Sequence, residues 1–175
     1  MSEKKDVEKL FQLEIKELWS AEKMLTDAMP LMIQKVTHPA LKMSLAFHLA
    51  ETDQHKVALE LICKQLGFEY EGNENAKMKT ILEEGQKSLD ENGTDESIIQ
   101  SARKIEHYEI AAYRSVAHYA DLMGYNGVSS RLRLTLEEEQ QADGKLNFLG
   151  KEVIGSVKDP KHRDELIKAD SLEEE

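Results

Sequence analysis

The residues of this chain best placed to do chemistry are glutamates and histidines that interrupt apolar stripes of helical period. At ~100° per residue around a helix axis, Phe11, Ile15, Leu18, Glu22, Leu25, Met29, Ile33 and Val36 share one face, with Glu22 at its centre. A second face carries Leu41, Leu45, His48, Glu51, His55, Leu59, Ile62 and Leu66, with Glu51 on the flank and both histidines nearer the middle. The third is Ile98, Ala102, Ile105, Glu109, Tyr113, Val116, Ala120 and Met123. Glu109 is central there, and Glu106 lies about 60° to one side. The fourth is Val128, Leu132, Leu136, Glu139, Leu146, Val153 and Val157. Asp143 stands one turn beyond the central Glu139, about 40° away, whereas Glu137 and Glu138 point elsewhere.

Height along the helices decides whether such groups can meet. Glu22 lies 14 residues before Val36 and Glu51 lies 11 after Ala40; Glu109 lies 14 before Met123 and Glu139 lies 11 after Val128. The two halves match, which reads as an internal repeat of a helical hairpin carrying two inward glutamates. Glu-rich helices can also bury carboxylates against Lys or Arg, but neither residue type stands in the central part of any stripe. Uncompensated burial would push the carboxylate pKa values up or destabilise the fold. A pair of divalent metal ions supplies the missing charge.

Carboxylates with a few imidazoles suit iron or manganese, while zinc more often takes Cys or a compact His-rich set. Di-metal bundles use one glutamate from each of two helices and a Glu-x-x-His pair from each of the others. Here Gln54 follows Glu51 at that spacing, and Ala142 follows Glu139. His48, His55 and Asp143 are the candidates to fill the gaps, each within a turn and on the correct face. The expected metal ligands are therefore Glu22, Glu51, Glu109 and Glu139, followed by His48, His55, Glu106 and Asp143. Two transition-metal ions are expected, iron first and manganese second.

These side chains need long helices to position them. Apolar spacing predicts a first helix over about 7–36, with Pro30 kinking it, and a second over 40–66 that Pro39 opens and Gly67 closes. A shorter helix is predicted over 76–91, a long one from a cap at Thr94 or Asp95 to 123, and a last over 128–157. Short joints make two antiparallel hairpins, and the long connection holding the short helix can cross the bundle. One such crossover is the ferritin-like topology. The fold expected is all-α: one domain over 1–157 and a charged tail over 158–175.

Composition agrees. The chain has 175 residues, enough for one domain. Its 9 glycines and 3 prolines leave little turn punctuation for an all-β fold. One cysteine, Cys63, can form neither an intramolecular disulfide nor a zinc-thiolate cluster; it reads as a small buried hydrophobe in a reducing compartment. No apolar run is long enough for a membrane span, and the first residues lack a signal-peptide pattern, so a cytoplasmic location is expected. A net charge of −11 disfavours nucleic acid and anionic membranes. Of the remaining polar residues, His107 is expected in solvent, and Tyr108 and His118 at the surface or a subunit contact. Tyr113 is expected in the core with its hydroxyl bonded to a carboxylate.

Four segments carry a family resemblance: Ala21-Glu22-Lys23-Met24-Leu25, His48-Leu49-Ala50-Glu51-Thr52, Glu106 through Tyr113, and Leu136-Glu137-Glu138-Glu139. They resemble the signature segments of the YciE/YciF stress-protein family within the ferritin-like superfamily, over about Leu10 to Val157. That resemblance implies a ferritin-like five-helix subunit, a rubrerythrin-like carboxylate site and homodimers. Two functions follow as expectations. One is a di-iron or iron/manganese protein reacting with oxygen or peroxide, an oxidase or peroxidase type of activity. The other is a catalytically inactive helical stress protein acting through oligomer or partner contacts.

Overall fold

The computed structural model describes residues 2–158 apart from position 73. The described residues form five helices: α1 (Ser2–Lys35), α2 (Pro39–Leu66), α3 (Ala76–Glu91), α4 (Asp95–Met123) and α5 (Asn126–Lys158). The predicted short helix matches α3 end for end. α1 starts five residues before the first apolar position because the lead-in is rich in Glu and Lys, good helix formers that propagate a turn at little cost. It also runs through Pro30, since Met29, Met32 and Val36 continue its buried face on both sides of the proline. The tail expected over 158–175 lies, Lys158 excepted, outside the described residues.

Local chemistry sets the helix ends. Pro39 occupies the first turn of α2, where a missing N–H costs nothing. Gly67 then takes the left-handed conformation, φ 78°, that lets its own N–H and that of Phe68 reach the Cys63 carbonyl. Thr94 caps α4, exchanging side-chain and backbone hydrogen bonds with Ser97. Gly124, again left-handed, ends α4 while Tyr125 N–H bonds the Ala120 carbonyl. The Tyr125 carbonyl in turn accepts from Ser129 N–H, so α5 begins two residues earlier than the apolar spacing suggests.

Side-chain contacts give the direction of each helix pair. Trp19 meets Glu60 while Met29 meets Thr52, so α1 and α2 are antiparallel. Arg103 with Asp143, and Asp121 with Arg133, make α4 and α5 antiparallel. Glu22 with Tyr113, and Thr37 with Asp95, do the same for α1 and α4, and Phe47 with Lys145 and His55 with Glu138 for α2 and α5. Hence α2 and α4 point the same way, and the chain between them must travel back along the bundle. α3 covers about 24 Å of that return and the segment before it the rest. This is the ferritin-like arrangement of two antiparallel hairpins with a shorter crossover helix, which lies against α1 and α4.

The core is divided. One apolar cluster centres on Leu25, Met29, Leu45, Ile98 and Leu146. A second centres on Ile15, Leu59, Tyr113, Val116 and Leu132. Between them, at mid-height in all four long helices, lies a layer of buried ionisable side chains.

Candidate metal centre

That layer contains Glu22 from α1, His48 and His55 from α2, Glu106 and Glu109 from α4, and Glu139 from α5, all buried. Their ligand atoms fall into two groups. One atom each from His48, Glu106, Glu109 and Glu139 lie within 4.8 Å of one another, and so do one each from Glu22, His55 and Glu139. Glu139 belongs to both. Apart from Glu106, which enters from the flank of the α4 stripe, each residue arrives by helical periodicity: an apolar stripe must face the bundle axis, and a polar residue in mid-stripe is carried in with it.

Two expected ligands are not brought in. Glu51 stays on the α2 flank, its side chain 21% exposed, with Oε2 3.4 Å from His48 Nδ1. Asp143 turns outward, accepting from Arg103 Nε at 2.8 Å and standing 3.3 Å from exposed His107 Nε2. The buried positions of α2 run Leu41, Leu45, His48, Thr52, His55, Leu59 and Ile62. Thr52 is therefore the residue in the stripe and is fully buried. Its hydroxyl donates to the His48 carbonyl at 3.0 Å. Glu138, expected to point away, accepts a hydrogen bond from His55 Nε2 at 2.8 Å. Its angle on α5 faces neighbouring α2, which a single-helix projection cannot show. Tyr108, expected at the surface or a subunit contact, is half-buried, its hydroxyl meeting Asn75 Nδ2 at 2.6 Å and tying the α3 cap to α4.

Tyr113 is buried as expected and donates its hydroxyl hydrogen bond to Glu22 Oε1. The other Glu22 oxygen, one oxygen each of Glu106 and Glu139 and both of Glu109 are buried without a hydrogen-bond partner; Glu139 Oε1 and His55 Nδ1 stand 2.8 Å apart, and His48 Nε2 stands 3.1 Å from Glu106 Oε1. Buried polar atoms in folded proteins are nearly always satisfied. These converging carboxylate oxygens and ring nitrogens could hold a metal ion.

Electrostatics set the protonation of the layer. Burial, then the charge of Glu139, pushes the Glu22 carboxyl up to about 8. Burial raises Glu106 to about 7 against the opposing pull of His48. Glu109 rises well above the carboxylate range through burial and the charges of Glu22, Glu139 and Glu106. Burial opposes protonation of the two histidines, but their carboxylate neighbours prevail, lifting His48 well above its usual value and His55 to about 9. Without metal the layer therefore keeps its charge down by holding protons. Burial likewise raises Cys63, to about 11, leaving an unreactive thiol.

Fold and layer together define an all-α, ferritin-like protein whose buried Glu and His groups can hold metal ions. Residues 6–156 match the profile of a domain of unknown function, DUF892, and the chain belongs to that family. Among its relatives is Protein YciF of Escherichia coli K12, 29% identical over 150 residues, covering 83% of this chain and 90% of that protein. The crystal structure of the E. coli stress protein YciF superposes with a TM-score of 0.81 at 27% identity, covering 85% of this chain and 97% of that one. YcfI of Rhodopseudomonas palustris follows at 0.78 and 30% identity, over 81% and 92%. Over most of its length the chain thus resembles YciF. Among the described residues, no helix is long and apolar enough to cross a membrane.

Proposed function

We propose that this chain binds two transition-metal ions, iron in both positions or iron with manganese, and that the loaded protein reacts with oxygen or peroxide during stress. The observation that carries the reading is Glu139, fully buried between the His48 and His55 imidazoles and common to both ligand groups. One ion would be held by His48, Glu106, Glu109 and Glu139, the other by Glu22, His55 and Glu139. Four carboxylates balance two divalent cations, and oxygen-rich donors favour the harder, more highly charged state of iron. When bound, the metal pair supplies the electrons that reduce oxygen or peroxide.

The chain's own part is to hold and shield. Tyr113 fixes Oε1 of Glu22, and the other oxygen, Oε2, is buried without a hydrogen-bond partner. The apolar clusters on either side keep water from the ends of the site. Binding displaces the protons held on Glu22, Glu106 and Glu109, so uptake strengthens as pH rises. In this reading Glu51 and Asp143 hold no metal. The protein works in the cytoplasm, where its buried free thiol stays reduced, and pairs with a second copy through the exposed Met43, Phe47, Val57 and Leu61 that line the outer face of α2.

Metal analysis and rapid mixing test this. Freshly purified protein should carry, or take up, two ions per chain, and anaerobic ferrous protein mixed with oxygen or peroxide should oxidise rapidly. Glu139→Ala should weaken both positions and abolish the reaction. Wild type oxidising iron no faster than this variant would leave the structural stress protein as the function.

A further inference from the structure

His48 and His55 stand seven residues apart on α2, at nearly the same angle and two turns apart, yet they offer the buried layer different ring nitrogens. His48 turns Nε2 inward, 3.1 Å from Glu106 Oε1 and 3.7 Å from Glu139 Oε2, and its Nδ1 lies 3.4 Å from Glu51 Oε2. His55 is reversed. Its Nδ1 is 2.8 Å from Glu139 Oε1 and 3.6 Å from Glu22 Oε1, while Nε2 is 2.8 Å from Glu138 Oε2. Both inward nitrogens are buried and meet only carboxylates of the layer. Both outward nitrogens meet a carboxylate that reaches solvent, the Glu51 side chain being 21% and the Glu138 side chain 40% exposed.

We propose that Glu51 and Glu138 are positioning residues that hold the two histidines in opposite tautomers, so that His48 ligates through Nε2 and His55 through Nδ1. An ionised carboxylate only accepts hydrogen bonds, so the nitrogen facing it keeps the ring proton and the other keeps a lone pair for the cation. An outer carboxylate also fixes the ring plane and raises the basicity of the ligating nitrogen. The two partners come from different places. Glu51 is one turn along the same helix from His48, whereas Glu138 reaches His55 from α5, next in the chain to Glu139. Consecutive residues of α5 thus contribute an inner ligand and the outer support of another ligand, because a step of ~100° around the helix separates the face toward the axis from the face toward α2. The assignment rests on the layer being a metal centre, and extends it to the two acidic residues that lie outside the ligand groups.

Zinc, redox-inert and diamagnetic, is the probe. Long-range proton–nitrogen correlation spectra of the full chain labelled with nitrogen-15 report which ring nitrogen is metallated, with His48→Gln and His55→Gln to assign the signals. The expected result is metallation at Nε2 of His48 and Nδ1 of His55, with the proton retained on the other nitrogen of each ring. Glu138→Ala should weaken zinc binding by about 10–100-fold and cost His55 its single tautomer while leaving His48 unchanged; Glu138→Gln, which keeps an acceptor oxygen, should lose less. Glu51→Ala should act on His48 alone. The exposure of both side chains leaves the helices intact, as circular dichroism would show. Ligation of both rings through the same nitrogen, or a Glu138→Ala protein with wild-type affinity and tautomer, would overturn the proposal while leaving the metal centre standing. Zinc that perturbs neither ring would overturn both.

Discussion

Replacing Glu22 with Gln in the metal-free protein should flatten the dependence of stability on pH. The Glu22 carboxyl titrates near 4.5 when solvated and at about 8 in the fold, pushed up by burial and by Glu139. Between those values the folded chain holds a proton that the unfolded chain has released. The Glu22 contribution to stability is therefore greatest below about pH 4.5 and falls as pH rises, by up to about 1.4 kcal/mol per pH unit for one proton. Across the whole interval the loss is on the order of 4–5 kcal/mol, a large part of the ~5–15 kcal/mol that holds a typical domain together. His55, raised from 6.5 to about 9, adds a loss of the same sign at the alkaline end. Gln has nearly the volume of Glu and keeps an oxygen to accept from Tyr113, but carries no charge. Urea unfolding of chelator-treated wild type and variant, followed by circular dichroism near pH 5 and pH 8, measures the effect. The variant should match wild type near pH 5 and exceed it by a few kcal/mol near pH 8, and metal should restore wild type there. Parallel pH profiles would mean that Glu22 does not bear the burial penalty and that the layer is not held together by protons.

Asp143→Asn should leave metal content unchanged and cost no more than about 1 kcal/mol, because Asp143 serves a partly exposed pair with Arg103; metal analysis with thermal unfolding checks both halves. Gly67→Ala should destabilise the fold by about 1 kcal/mol, all of it from the left-handed backbone at φ 78°, since an added Cβ meets nothing within 4 Å. Phe47→Glu places a charge on an exposed apolar position, and sedimentation should show a shift from dimer to monomer with unaltered helicity.

Much of this protein was legible before any coordinates because helical order is local. The stops at Gly67 and Gly124, the cap at Thr94 and the span of α3 follow from residues within one turn of each boundary. Glu22, Glu109 and Glu139 could be picked out as inward-facing because a polar residue in mid-stripe has nowhere else to point. The crossover topology followed from two short joints and one long one. The flanks of the stripes were not legible. Glu51 and Thr52 differ by one residue, and only the packed bundle shows that the stripe passes through Thr52 and leaves Glu51 beside His48. Asp143 lies at a permissible angle on α5, but Arg103 and His107 on α4 draw its carboxylate outward. Glu138 looks solvent-facing on its own helix, until α2 lies alongside and brings His55 Nε2 within 2.8 Å. Periodicity gives a residue's angle about its own axis, which decides what is buried. Which buried groups meet depends on the separation and rotation of neighbouring helices, and those are settled only when all the stripes pack at once.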